Sequence, residues 1–130
     1  MKVTYRPESS YEWVVHTPFH TTALTSYTKE IHIEGKHKDD LARVRSYEKL
    51  RDVLQQPRFI YYDQTHRENG RIRYTDLVAL PEYGHLQALV IIVDTDRDPN
   101  EVVTWMVKSN LSQEKIDEET IIYDSRSNQK

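Results

Sequence analysis

One stretch of the chain carries hydrophobic residues at three- and four-residue intervals, and this period predicts the main helix. The positions are Leu41, Val44, Tyr47, Leu50 and Leu54. A carboxylate just before them, Asp39 or Asp40, is suited to cap the first turn. Pro57 disfavours helical geometry at the residue that precedes it. We therefore expect one helix that begins after the cap and ends near Gln56.

After Pro57 the pattern changes to the shorter, β-branched and aromatic runs of a sheet. Turn residues at Gly70 and at 81–84 suit antiparallel hairpins, and a polar turn is expected over 94–100. Residues 86–93 are apolar on both faces of the predicted strand, which places that strand in the middle of the sheet. The four predicted strands cover residues 58–63, 71–80, 86–94 and 101–108.

The N-terminal part predicts extended structure followed by a short helix. Residues 11–24 combine tryptophan, valine and phenylalanine with threonine, which favours an edge strand or a β-ribbon. Residues 25–36 open with hydroxyl residues that suit a helix cap, although Ile31 and Ile33 alternate as in a strand. We expect a short helix there, preceded by a loose lead-in over residues 1–10.

The C-terminal end predicts two further small elements. Ser112 is expected to cap a short helix that reaches Glu119, residues 121–123 to form a short strand, and residues 125–130 to be loose. The whole chain, residues 1–130, is then a single α+β domain. It has one main helix, and a short N-terminal one, packed on a four- to five-stranded antiparallel sheet.

The composition limits which kinds of site and which cellular compartments are consistent with the chain. A chain without cysteine has no disulfide, no thiolate zinc site and no cysteine nucleophile, which is compatible with a reducing cytoplasm. The longest apolar run, residues 89–93, is too short to cross a bilayer, and the first residues lack the apolar stretch of a secretion signal. We expect a cytoplasmic protein with no membrane partner.

Charge is distributed unevenly along the chain. The net charge of -3 argues against tight, non-specific binding to nucleic acid. Basic residues cluster at 36–45 and 67–73, whereas acidic residues dominate 94–101 and 114–124. This distribution predicts either an RNA-facing side and an acidic back, or two ordinary solvated surfaces.

Four short motifs resemble a known group of nucleases. They are His32-Ile33 followed by Lys36-His37, Leu50-x-x-Val53-Leu54-x-x-Pro57-x-x-Ile60, Arg71-Ile-Arg73-Tyr74, and Val102-Val-Thr104-Trp105. Over residues 25–107 the chain resembles the phage-associated nucleases of the BECR fold, grouped with barnase, EndoU, colicin-type and RelE-like toxins. Lys38 stands where that family usually has proline. The resemblance implies N-terminal helices, a four-stranded sheet and RNA hydrolysis without a metal.

Metal-free RNA cleavage needs a base for the 2′-hydroxyl, an acid for the leaving oxygen, and cations around the phosphate. Histidine suits both proton transfers because its unperturbed pKa of about 6.5 leaves both forms available near neutral pH. His37 is the first candidate for the base, since it precedes the N-terminus of the main helix, where free N–H groups attract phosphate. Lys36 and Lys38 would add positive charge. His32 is a further catalytic candidate, or a histidine packed between isoleucines.

Other candidates lie on the predicted strands. Arg71 and Arg73 alternate with Ile72 and Tyr74, so their side chains share one sheet face, where they would grip an oxyanion or simply face solvent. The family resemblance implies that the Thr104 hydroxyl contacts the scissile phosphate. Threonine is equally a good strand former.

Aromatic and loop residues offer binding and proton-transfer groups. Tyr74, with Tyr61 and Tyr62, is expected to stack on bases, or to be an ordinary tyrosine of a sheet. His66 and His85 fall in predicted turns. Either would serve as the acid if its loop folds toward the site, and as a surface histidine otherwise.

Several chemistries lack their motifs. His32 and His37 would lie about 140° apart on a continuous helix, so no metal site is expected. There is no glycine-rich phosphate loop, no nucleophile elbow and no cofactor signature. The sequence predicts a metal-independent endoribonuclease of toxin or mobile-element type. RNA is the expected partner, with a protein inhibitor or host protein left open. The alternatives are a non-enzymatic module that binds a host protein, or an enzyme acting on another phosphate compound.

Overall fold

A seven-stranded mixed sheet forms the centre of the computed structural model, which describes residues 10–31, 40–64 and 70–128. In chain order the strands are β1 (Tyr11–Val15), β2 (Thr22–Thr25), β3 (Phe59–Tyr62), β4 (Ile72–Val78), β5 (Gln87–Asp94), β6 (Asn100–Lys108) and β7 (Ile121–Asp124). Their order across the sheet is β1-β2-β6-β5-β4-β3-β7. Neighbours are antiparallel except β2 and β6, which run parallel.

The predicted fold class is confirmed, and the predicted sheet is corrected. The protein is α+β with one main helical segment, but the described residues form seven strands instead of the expected four or five. The predicted ribbon exists as the antiparallel pair β1 and β2. It joins the main sheet through two parallel partners, Thr22 with Asn100 and Ala23 with Glu101. The sheet is therefore mixed, whereas the sequence predicted a purely antiparallel one.

The main helical segment runs over residues 41–55 in three parts. These are α2 (Leu41–Arg45), a 3₁₀ turn (Ser46–Lys49) and α3 (Leu50–Gln55). Asp40 caps its start by accepting a hydrogen bond from the Arg43 N–H at 3.1 Å. The buried Ser46 hydroxyl donates to the Arg43 carbonyl at 2.8 Å, a local bond that competes with regular helix and coincides with the interruption.

Short elements stand at both ends of the described chain. The predicted N-terminal helix is confirmed as α1 (Ser26–Lys29), capped by Thr25, while residues 32–36 of the predicted range lie outside the described residues. After β6, two 3₁₀ helices (Leu111–Glu114 and Glu118–Thr120) replace the single helix expected after Ser112. Asn110 and Asp117 cap them, and a 3₁₀ turn (Ser125–Asn128) follows β7 where a loose end was predicted.

The core lies between the helical segment and one face of the sheet. A cross-strand row of buried side chains runs across β3, β4, β5 and β6 on this helix-facing side: Ile60, Tyr74, Ile91 and Trp105. Leu50, Val53 and Leu54 pack against this side. The indole N–H of Trp105 donates to the Arg43 carbonyl at 2.8 Å, which ties β6 to α2.

Side chains at the intervening positions point to the opposite side of the sheet, which we call the distal face. One of its rows consists of Tyr61, Arg73, Ile92 and Thr104, paired in that order across β3, β4, β5 and β6. The 3₁₀ helix that follows β6 contacts this face through Glu114. Within the described ranges, no helix is long and apolar enough to cross a membrane.

Candidate functional site

Arg73 and Thr104, two of the predicted catalytic residues, share one row of the distal face. Ile92 pairs with Arg73 on one side and with Thr104 on the other, so two strand spacings separate them. That spacing places their Cα atoms about 10 Å apart. Tyr61 continues the row beyond Arg73. A guanidinium, a hydroxyl and a phenol therefore lie on one side of the sheet.

Arg73 belongs to a set of donors that converge on one carboxylate. Tyr61 Oη and Arg73 Nη1 each donate to Glu114 Oε1 at 2.6 Å, and Lys108 Nζ donates to Glu114 Oε2 at 2.6 Å. The Glu114 side chain is only 1% exposed. We call Tyr61, Arg73, Lys108 and Glu114 the Glu114 cluster.

The electrostatics of the Glu114 cluster favour an ionised carboxylate. Burial raises the pKa of Glu114, but hydrogen bonds from Lys108 and Tyr61 and the charge of Arg73 outweigh burial and leave that pKa below its ordinary value. Burial, and then the charge of Glu114, raise the pKa of Tyr61, so the phenol keeps its proton. One anion is thus held by two cations and a neutral donor.

A second carboxylate also holds Arg73. Asp63 Oδ1 lies 3.3 Å from Arg73 Nη2, and the Asp63 side chain is 1% exposed. Burial lowers the pKa of Arg73, and the charges of Glu114 and Asp63 raise it to a net value above the ordinary one. Arg73 Nε is buried without a hydrogen-bond partner among the described residues. The guanidinium predicted to grip an oxyanion is therefore already engaged by two carboxylates.

A pocket of about 250 Å³ opens beside the Glu114 cluster. Its walls include Tyr61, Tyr62, Asp63, Arg73, Glu114 and Lys115. The volume is somewhat below that of pockets that enclose drug-sized ligands. It is large enough to admit a phosphate group.

Arg71 enters a separate network of charges. Its Nε donates to Asp94 Oδ1 at 2.6 Å, and Asp94 Oδ2 lies 3.6 Å from Arg97 Nη2. Arg97 also lies 3.4 Å from Glu101. The acidic stretch 94–101 thus meets a basic residue of the stretch 67–73, and Glu114 meets Arg73. The predicted separation of a basic side from an acidic back is wrong for these residues.

We call residues 32–39 the histidine segment, and the structure describes only the residues on either side of it. His32, Lys36, His37 and Lys38 lie outside the described residues, as does His66. On one flank, Ile31 lines a pocket of about 240 Å³ together with Val102 and Val103 of β6. On the other, α2 contacts β6 through Trp105 and Arg43. Both flanks therefore lie beside the strand that carries Thr104.

The remaining aromatic and histidine candidates are placed apart from the Glu114 cluster or at its rim. Tyr74 is fully buried on the helix-facing side, and its hydroxyl shares a 2.7 Å hydrogen bond with Thr17, so its ring offers no exposed face to a base. Tyr62 is exposed and lines the 250 Å³ pocket. His85 is exposed in the connection between β4 and β5. Within the described ranges, no group of three His, Asp or Glu side chains is arranged to hold a metal ion.

Glu114, Lys108 and Asp63 were missed by reasoning from the sequence. Glu114 stands 41 residues from Arg73 and 53 from Tyr61, so no local pattern links them. It belongs to an acidic stretch that the sequence assigns to a solvated surface. The one usable signal was general: an arginine buried on a strand needs an acid nearby.

Comparison of the chain with protein-family models, curated proteins and solved structures gave no match.

Proposed function

We propose that this chain is a metal-independent endoribonuclease that cleaves RNA through attack of the neighbouring 2′-hydroxyl. The observation that carries the proposal is the shared row of Arg73 and Thr104 on the distal face, with Lys108 and Tyr61 close to Arg73. Cations and a hydroxyl on one surface are the groups that a phosphorane transition state requires. The motifs by which the chain resembles BECR-fold nucleases include Arg73 and Thr104. This resemblance supports the same reaction.

In the proposed reaction His37 takes the proton from the 2′-hydroxyl as the 2′-oxygen bonds to phosphorus. The bond from phosphorus to the 5′-oxygen breaks, and the leaving oxygen takes a proton from a second histidine, for which His32 is the candidate. Arg73 stabilises the charge on the phosphorane, and the Thr104 hydroxyl donates to a non-bridging oxygen.

Context supports a toxin or mobile-element enzyme that works in the cytoplasm. The chain has no cysteine, so its stability does not depend on an oxidising compartment. The phage-associated nucleases that the chain resembles cleave RNA without a metal. RNA is then the substrate, and a protein inhibitor is a natural second partner for such an enzyme.

The test is cleavage of a mixed-sequence RNA oligonucleotide by the full chain in the presence of a chelator. We expect products that end in a 2′,3′-cyclic phosphate, and no cleavage of the matching DNA. His37→Gln should lower the rate by about 10²-fold or more, because it removes the base. Thr104→Val should also lower it, while Thr104→Ser keeps the hydroxyl and most of the rate.

A variant of an exposed histidine is the control for the catalytic variants. His85→Gln removes an exposed histidine of a loop and should leave the rate unchanged. Cleavage by His37→Gln at the rate of the unmodified chain would remove His37 from the reaction. An unmodified chain that leaves RNA intact would exclude the ribonuclease.

A non-enzymatic interaction module is the second candidate, and one observation favours it. Asp63 and Glu114 together neutralise the guanidinium of Arg73, which would otherwise meet the phosphate. A module of this kind would leave RNA intact in the same assay. Expression separates the two as well, because an active ribonuclease arrests growth and a binding module need not.

A further inference from the structure

We infer that the Glu114 cluster is an anion receptor that the chain closes with its own carboxylate, and that an RNA phosphate reaches the receptor by displacing Glu114. The choice of RNA as the ligand rests on the proposed function. The receptor itself rests on geometry: a guanidinium, an ammonium and a phenol each lie 2.6 Å from one carboxylate. These donors are also suited to the oxygens of a phosphate.

The three donors lie on strands of the central sheet, whereas the acceptor, Glu114, lies on a short 3₁₀ helix outside it. Tyr61, Arg73 and Lys108 lie on β3, β4 and β6, whose backbones are held by the sheet. Glu114 ends a four-residue 3₁₀ helix, Leu111–Glu114, in which Ser112 and Gln113 are exposed. The next residue, Lys115, has a φ of 51°, a left-handed conformation that side chains other than glycine seldom adopt. The acceptor is thus the part of the cluster that moves most easily.

The pocket beside the cluster gives a phosphate a place to enter. Arg73 and Glu114 form part of its wall, and Lys115 adds a further cation at its rim. Asp63 keeps its contact with Arg73 Nη2 and so keeps the guanidinium oriented, while Nη1 is the atom that Glu114 releases. One anion replaces another, so the charges of the two partly buried cations, Arg73 and Lys108, stay compensated throughout the exchange.

Binding of a non-cleavable ligand tests the inference. The probe is a fluorescent RNA oligonucleotide with 2′-O-methyl groups, which lacks the attacking hydroxyl, and its affinity is measured by anisotropy. Glu114→Gln keeps the length and the acceptor oxygen of the side chain and removes the competing charge. We expect the variant to bind the oligonucleotide about tenfold more tightly or better, because a neutral Gln side chain competes less strongly with the phosphate for Arg73 and Lys108. Glu119→Gln makes the same change of charge at an exposed position and should leave the affinity unchanged.

A measurement on the unmodified chain does not depend on the folding of a variant. We call residues 110–115, which carry Glu114, the capping segment. Within it the Gln113 N–H donates to Asn110 Oδ1 and the Lys115 N–H donates to the Ser112 carbonyl. If the phosphate displaces this segment, both amides exchange hydrogen faster when the oligonucleotide is bound. Unchanged or slower exchange would overturn the inference, and so would a Glu114→Gln variant that binds no more tightly than Glu119→Gln.

The outcomes also separate this inference from the proposed function. RNA cleavage by the unmodified chain without tighter binding by Glu114→Gln would keep the enzyme and overturn the capped receptor. Tighter binding by Glu114→Gln without any RNA cleavage would keep the receptor and overturn the ribonuclease.

Discussion

Glu114 accepts three hydrogen bonds of 2.6 Å although its side chain is almost completely buried. Removing a carboxylate from water costs several kcal/mol, on the order of what its cationic partners return. Each partner therefore matters more than a surface contact would, because its loss leaves a buried charge incompletely solvated.

Tyr61→Phe tests this at the residue scale. The change removes a hydroxyl that donates to Glu114 and shares a 2.7 Å hydrogen bond with Thr75. We expect the free energy of unfolding, measured by urea denaturation, to fall by about 1–3 kcal/mol. Tyr27→Phe, at a position that is 69% exposed, should change it by less than about 0.5 kcal/mol. Equal effects of the two changes would show that the Tyr61 hydroxyl contributes nothing to stability.

At the scale of elements, the period of hydrophobic residues predicted where the helical segment lies, but not which of its hydrophobic side chains are buried. Leu50 and Leu54 are buried as expected, whereas Leu41 is 62% exposed. Leu41 opens α2, and the 3₁₀ turn at Ser46–Lys49 breaks the regular period between it and α3. The sequence pattern assumes a regular helix throughout, so it could not predict this interruption.

A pair of equal truncations checks the packing of this segment. Leu54→Ala empties a fully buried position of α3 and should lower the free energy of unfolding by about 2–5 kcal/mol. Leu41→Ala removes the same atoms from an exposed position and should change it by less than about 0.5 kcal/mol. Chemical denaturation of both variants measures the difference. A large loss for Leu41→Ala would mean that its side chain is covered in solution.

The strands show which parts of a sheet a sequence can reveal. The central position of β5 was predicted correctly, because residues that are apolar on both faces must be covered on both. The parallel pairing of β2 with β6 was missed, since it joins Thr22 to Asn100 across most of the chain. Pairings of that kind depend on the arrangement of the whole sheet, and no local pattern encodes them.

At the scale of the whole molecule, charges that are segregated along the sequence are mixed in space. The order of strands brings Arg71 to Asp94 and Arg73 to Glu114. Strand alternation and family resemblance alone indicated Arg73 and Thr104 as candidates, and left open whether they share a face. Their acidic partners could not be predicted, because those contacts form only when β3, β4, β6 and the segment after β6 assemble.

The pH dependence of global unfolding reports on this assembly. The pKa of Glu114 is below its ordinary value of 4.5 in the folded chain, so the carboxylate contributes stability fully above about pH 4.5 and loses it as the pH falls toward the lowered pKa. We expect urea unfolding, followed from about pH 7 to about pH 3, to show a steeper acid loss for the unmodified chain than for Glu114→Gln. Parallel curves would contradict the lowered pKa.

The borders of the sheet are made of its shorter strands, and this has a consequence for how copies of the protein behave together. β1 has five residues and β7 has four, and β7 covers the outer side of β3. A short border exposes few unpaired amide and carbonyl groups to a second chain. At β1 and β7, therefore, edge-to-edge pairing with a second copy of the protein has only five and four residues of strand to use.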